Sequence, residues 1–175
     1  IIAGNFIGIQ ADGTTTSTVT TGILVESGAS NVVIGGAVSD SQAPGQALTA
    51  LGGRNLISGN STGVSIAANN ATVVGNYFGT DKTGLTASAN TTGVSISGTG
   101  AMIGGTGATD PNVFGTNTTA ISITGDSNTI QKNTIGAADS LSSLGNTTGI
   151  SITSATNLIT ANLLGKNTTG ISISG

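Results

Sequence analysis

The sequence predicts an all-β chain wound as a solenoid of about six coils, each built from three short strands. Three observations lead there. A pentad of the form Thr-Gly-Ile/Val-Ser-Ile recurs along the chain, and a second string, Asn-x-apolar-Gly/Ser, recurs between its copies. The spacing between copies varies only through insertions at two fixed places. Residues 1–175 read as a single unit, expected to be one stretch of a longer repeat rod.

The pentad marks the first strand of each coil. It reads TGILV at 21–25, TGVSI at 62–66 and 92–96, TAISI at 119–123, and TGISI at 148–152 and 169–173. Its second position falls at Gly22, Gly63, Gly93, Ala120, Gly149 and Gly170, giving spacings of 41, 30, 27, 29 and 21 residues. The second string opens the third strand, as in NFIG at 5, NLIS at 55, NYFG at 76, NVFG at 112, NTIG at 133 and NLLG at 162. The shortest unit, 148–168, shows the bare coil: TGISIT, SATNLIT, ANLLG and KNT. Longer coils carry an insertion after the third strand (9–20, 80–91, 137–147) or after the second (35–53, 105–111), alternating from coil to coil until the last coils carry neither.

Alternation within each strand fixes the inward residues. The first strand contributes two columns, Ile23/Val64/Val94/Ile121/Ile150/Ile171 and Val25/Ile66/Ile96/Ile123/Ile152/Ile173. The second contributes Ile2/Ile34/Val73/Ile103/Ile130/Ile159, and the third Ile7/Ile57/Phe78/Phe114/Ile135/Leu164. Each buried side chain of this kind contributes roughly 1.5–3 kcal/mol, so only a stack of coils offsets the entropy of ordering the chain. A helical reading fails: no long window repeats apolar residues at three and four, and Gly, Thr, Ser and Asn are weak helix formers. A collagen period and a calcium-loaded β-roll motif are also absent from the sequence.

Composition narrows the function. Charged residues make up 6% and aromatics 2%, with 29 Gly and a net charge of −3. Four Lys and Arg make no phosphate-neutralising surface, so nucleic acid is not an expected partner. With no His and no Cys, imidazole and thiolate chemistry, zinc sites and disulfides all fall away. No apolar run approaches the roughly 18 residues of a membrane span, so this segment is not expected to insert. Ile1 opens the chain with no Met and no basic leader, which predicts a processed product or an internal segment.

The stretches GNYFGTDKTGLTASANTTGVSIS (75–97) and NTIGAADSLSSLGNTTGISIT (133–153) resemble the repeats of the pectin-lyase-like superfamily. Their style is that of GNxIGTDxTG…GNTTGVxI repeats in very large secreted prokaryotic surface proteins. The resemblance covers nearly the whole chain and implies a right-handed parallel β-helix at the cell surface or outside the cell. It carries over no catalytic residue. The chain departs from the style at Ala120, where Gly is usual, at Leu24, where Ser is usual, and in the loops 36–53 and 104–111.

Two asparagine columns stand out. Asn5, Asn55, Asn76, Asn112, Asn133 and Asn162 precede the third strand; Asn60, Asn90, Asn117, Asn146 and Asn167 precede the first. The structural reading is a pair of ladders at the turns, where Asn tolerates the left-handed conformation and stacked amides bond one another. The second column also spells the glycan acceptor pattern, as does Asn70, making Asn60, Asn70, Asn90, Asn117, Asn146 and Asn167 candidate acceptors. One site cannot serve both readings. Asp12, Asp81 and Asp139 sit alike in the third-strand insertions and read as turn acceptors, since one carboxylate per loop falls short of a calcium site. Arg54 is the only arginine and no two acids adjoin, so the paired groups of a lyase or glycosidase are missing from the sequence.

Outward positions of the first strand read Ser65/Ser95/Ser122/Ser151/Ser172 and Ala67/Ser97/Thr124/Thr153/Ser174, a flat hydroxyl array. The expectation is therefore a structural module, a rod segment of a surface stalk, adhesin or filament, with no catalytic residue, cofactor or metal. A carbohydrate- or ice-binding face is the alternative, with polysaccharide as its candidate ligand, and a carbohydrate-active enzyme ranks last. Aligned to coil 148–168, Gly175 takes the place of Ser154 and Ile1 that of Leu158, so both ends would present open β-edges. Their expected partners are further β-helix coils, of the same chain or of head-to-tail copies.

Overall fold

The computed structural model describes residues 1–36, 53–108, 110–136 and 144–174; most of the insertions at 35–53 and 137–147, with Asp139, and the end residue Gly175 lie outside these. Among the described residues the chain is all β. It is a right-handed parallel β-helix whose seventeen strands stack into three sheets. A leading partial coil holds Ile2 and β1 (Phe6–Ile7). Coil 1 holds β2 (Thr21–Val25), β3 (Val33–Gly35) and β4 (Leu56–Ile57); coil 2 holds β5 (Thr62–Ile66), β6 (Thr72–Val74) and β7 (Tyr77–Phe78). Coil 3 runs through β8 (Thr92–Ile96), β9 (Met102–Ile103) and β10 (Val113–Phe114), and coil 4 through β11 (Thr119–Ile123), β12 (Thr129–Gln131) and β13 (Thr134–Gly136). Coil 5 comprises β14 (Thr148–Ile152), β15 (Leu158–Thr160) and β16 (Leu163–Gly165), and β17 (Thr169–Ile173) opens the next. Each return to a sheet is a parallel crossover, and such crossovers in a right-twisted sheet are right-handed.

Register follows the columns read from sequence. Ile121 pairs with Val94 and Ile150, Ile123 with Ile96 and Ile152. Phe114 lies between Phe78 and Ile135, and Ile130 between Ile103 and Ile159. These columns meet in one continuous core that runs the length of the rod. The Phe78 and Phe114 rings stack, 4.6 Å between centroids and 5° between planes, because consecutive coils place identical side chains about 4.8 Å apart.

Corners turn through the left-handed region. Asn31, Asn70, Gly100, Ser127 and Thr156 occupy it at equivalent points ahead of the second-sheet strands. At the other two corners the position depends on the insertion. Where the corner is bare, the left-handed residue sits just before the ladder Asn, as at Gly59, Gly75, Thr116, Lys132, Ala161 and Lys166. Where a loop is inserted, it sits at the end of the strand or directly after it, at Gly8, Gly35, Gly79, Gly104 and Gly136. Gly is required there: a Cβ on Gly136 would run into the Gly165 carbonyl oxygen of the next coil.

One strand pair tests the register. Ile123→Asp places an unpaired charge in the fully buried column, at a cost on the order of 3–5 kcal/mol. Ser122→Asp, one residue away on the outer face, leaves the melting temperature nearly unchanged. Equal destabilisation of the two variants in thermal melts overturns this inside-outside assignment.

Candidate functional sites: asparagine ladders, loops and the hydroxyl face

In the first ladder, Asn5 Nδ2 donates to Asn55 Oδ1 at 2.9 Å, Asn55 to Asn76 at 2.8 Å, Asn76 to Asn112 at 3.1 Å, Asn112 to Asn133 at 2.9 Å, and Asn133 to Asn162 at 2.9 Å. The second ladder runs from Asn60 to Asn90 at 3.0 Å, Asn117 at 2.9 Å, Asn146 at 3.0 Å and Asn167 at 2.9 Å. Each backbone N–H donates to the same oxygen, as Asn90 N does to Asn117 Oδ1. The remaining amide hydrogen turns back to the preceding coil: Asn90 Nδ2 donates to the Ile57 carbonyl and Asn76 Nδ2 to that of Ile34, both at 2.9 Å. Apart from Asn60 Oδ1, the buried ladder amides are thus fully paired, which removes the penalty for taking them out of water.

The second ladder ends on a defect. Val19 stands at the rung below Asn60, since Ser61 N donates to the Val19 carbonyl as Thr91 N does to that of Asn60. Val19 offers no amide, and the buried Asn60 Oδ1 has no partner. A third asparagine pair escapes the sequence reading. Asn128 N donates to Asn157 Oδ1 at 2.8 Å, and Asn128 Oδ1 accepts from Ala101 N at 2.8 Å. Only two coils carry it, because Val32, Ala71 and Ala101 fill the same corner earlier in the chain, so no column is visible without the register.

The candidate glycan acceptors separate by burial. Asn60, Asn90, Asn117 and Asn146 are buried, and Asn167 is half-buried, with their amides held in the ladder; Asn70 alone is exposed, at a left-handed corner.

Two of the inserted loops, 9–20 and 80–91, are small hairpins, with antiparallel bridges Ile9↔Thr16 and Thr80↔Ala87. Each is closed by its aspartate. Asp12 accepts from the Thr15 hydroxyl at 2.6 Å and from Thr14 and Thr15 N–H at 2.9 Å, which holds its carboxyl well below the usual carboxylate range. Asp81 Oδ1 accepts from the Thr83 hydroxyl at 2.6 Å and from the Thr83 and Thr86 N–H groups. Beneath the loops lies a second apolar cluster of Ile9, Leu56 and Tyr77, with Val113 against it, on the outer side of the third sheet. Strict alternation assigns these positions to solvent; the loops cover them instead. The Arg54 guanidinium lies 4.1 Å over the Tyr77 ring, and Nε donates to the Gly75 carbonyl. Burial pushes the Tyr77 phenol up, Arg54 pulls it down and Asp81 adds to the rise.

The outer face of the first sheet carries more hydroxyl than the sequence reading found. Besides Ser65, Ser95, Ser122, Ser151 and Ser172 in register, it holds a threonine column, Thr21, Thr62, Thr92, Thr119, Thr148 and Thr169. The repeated Thr-Thr ahead of Gly was the signal for it. This face offers hydrogen bonds but no aromatic ring on which a sugar could stack. Among the described residues no three acidic side chains converge as metal ligands would. Comparisons with family models, with curated proteins and with solved structures each returned no match to this chain.

The orphaned oxygen gives a direct test of the ladder. Val19→Asn supplies a side-chain N–H donor to Asn60 Oδ1 and raises stability by about 1–3 kcal/mol, whereas Asn117→Ala, in mid-ladder, lowers it by at least about 2 kcal/mol. Chemical denaturation reads both; a destabilised Val19→Asn overturns the ladder account. The ladder commitment also has a mass signature. Protein purified from a glycosylating host carries no hexose at Asn90 or Asn146, and a modified peptide at either site shows that the amide leaves the ladder.

Proposed function

We propose that this chain is an extracellular structural module, a segment of rod in a surface stalk, adhesin or filament of the pectin-lyase-like kind. The observation that carries the reading is where apolar surface is exposed. Inside the rod the core columns are fully covered, as at Val94 and Ile121. At the end coils the same columns open: Ile171 is 44% and Ile173 70% exposed, against 0% and 5% for Ile150 and Ile152 one coil inside, and Ile159 and Leu164 at that end and Ile2 and Ile7 at the other are only half-buried. A solenoid end of this kind is a template for one more coil.

The ladders support the same reading. Every rung donates toward the coil that follows, so the rod is polar, and a further coil on either end continues the pattern in only one orientation. Stacking that repeats in one direction does not close, which suits a stalk or filament. The repeat resemblance at 75–97 and 133–153 supports a secreted address. On this reading the partners are coils of the same chain or of further copies, and the chain performs no catalytic step. The carboxylates Asp12 and Asp81 are spent on closing their own loops.

Light scattering on residues 1–175 tests the reading. Expected are concentration-dependent oligomers or fibres, lost in the variant Ile171→Glu/Ile173→Glu, whose circular dichroism stays β. A wild-type chain that remains a stable monomer at all concentrations overturns it.

A further inference from the structure

The core does little to tell one coil from its neighbour. β5 and β8 carry the same TGVSI, and β14 and β17 the same TGISI. A slip by one coil would still set β-branched on β-branched and Asn on Asn, and strand pairing alone specifies such a register weakly. The loops do distinguish the coils. Insertions at the third-strand corner leave from the leading coil at Gly8, from coil 2 at Gly79 and from coil 4 at Gly136; those at the second-strand corner leave from coil 1 at Gly35 and coil 3 at Gly104.

The loops that leave at Gly79, Gly104 and Gly136 each reach back to the coil before their own. The loop of coil 2 goes out at the level of its own coil and returns over coil 1: Ser88 N donates to the Gly79 carbonyl, and Gly59 N of coil 1 donates to the Ser88 carbonyl, both at 3.0 Å. Further out, Lys82 N donates at 2.9 Å to the Gly13 carbonyl in the loop of the leading coil, two coils away. The bare corner Ser58-Gly59-Asn60 is the room this arrangement needs. The same bond recurs where Thr116 N of coil 3 donates to the Leu144 carbonyl at 3.0 Å. At the other corner, Gly75 N of coil 2 donates to the Asp110 carbonyl at 2.9 Å. In each case the left-handed residue of a bare corner is capped by the returning arm of the next coil's loop.

We infer that the structural unit of this rod is a pair of coils, and that the alternating loops are keys which set the stacking register. A slip of one coil sets a two-coil-high loop onto another with a single coil spacing, roughly 4.8 Å, between them, and that collision excludes the register the core would accept. A slip or deletion of two coils preserves the alternation of the two loop sites.

Two deletions separate this inference from the view that stability simply follows coil number. Removing 92–118, one coil, joins Thr91 to Thr119 and keeps every column, but brings the loops leaving at Gly79 and Gly136 onto adjacent coils. Removing 62–118, two coils, joins Ser61 to Thr119 and keeps the alternation. The two-coil deletion is expected to melt in one transition close to the parent, and the longer one-coil deletion to melt lower or fail to fold. Replacing 80–89 by a single Thr in the one-coil deletion makes its corner read like Phe114-Gly115-Thr116-Asn117, and restores the melting temperature. The inference is overturned by a one-coil deletion at least as stable as the two-coil one, by a loop replacement that restores nothing, or by a two-coil deletion that does not fold.

Discussion

The amide bond from one asparagine to the same asparagine a coil later is the interaction on which the rest depends. A chain that circles its own core must turn three times per coil, and each turn breaks the strand ladder just where backbone groups are still buried. Asn90 shows how one side chain closes all the accounts: it donates forward to Asn117, back to the Ile57 carbonyl, and accepts from Asn60. With the corner polar groups satisfied, the strands between corners can be as short as Tyr77–Phe78 and still lie flat on the core. Remove the ladder and the two-residue strands of the third sheet have too few hydrogen bonds to hold a register of their own.

Ladder and core also explain where the chain tolerates insertion. A loop can leave only after the inward residue of a strand is seated and must rejoin before the ladder Asn is reached. That leaves two residues at a bare corner, such as Gly115-Thr116 between Phe114 and Asn117, and the conformational switch follows from it. At a bare corner the left-handed turn falls at the residue before Asn, where Thr116, Lys132 and Lys166 accept it with a side chain. At an inserted corner the turn moves back to the end of the strand or the residue after it, against the next coil's backbone, and only Gly fits. The sequence distinction between Gly79 and Thr116 is the trace of this switch.

Much of this was legible before the fold was seen, because period-two strands and repeated corners write themselves into the residue pattern. The four core columns, the two long asparagine columns and the loop sites could all be read by aligning coils. What was not legible depends on neighbours outside the repeat. Leu56, Tyr77 and Val113 lie outward by alternation, yet are covered by hairpins whose own residues carry no apolar period. Asn128 and Asn157 form a rung, but alanine and valine in the earlier coils hide the column. The threonine column recurs in every coil, but it is polar, so the apolar period that marks the strands does not mark it.

A nearest-neighbour solenoid places its variety outside its core. In the core each coil packs only on the coils beside it, so any inward substitution is judged by two neighbours that are nearly copies of it, and the columns stay apolar. Outer positions are free of the packing that fills the core, and there Leu24 stands where other coils have Ser, Glu26 stands where they have Ala, Ser or Thr, and loops of different length coexist. Low charge follows from the same logic. Stacking repeats an outward residue every 4.8 Å or so, and a like charge at that spacing along a column would repel its copies. Hydroxyls repeat without that cost. The Ser and Thr faces are therefore what a stacked repeat needs in order to be hydrated at all, before any ligand is considered.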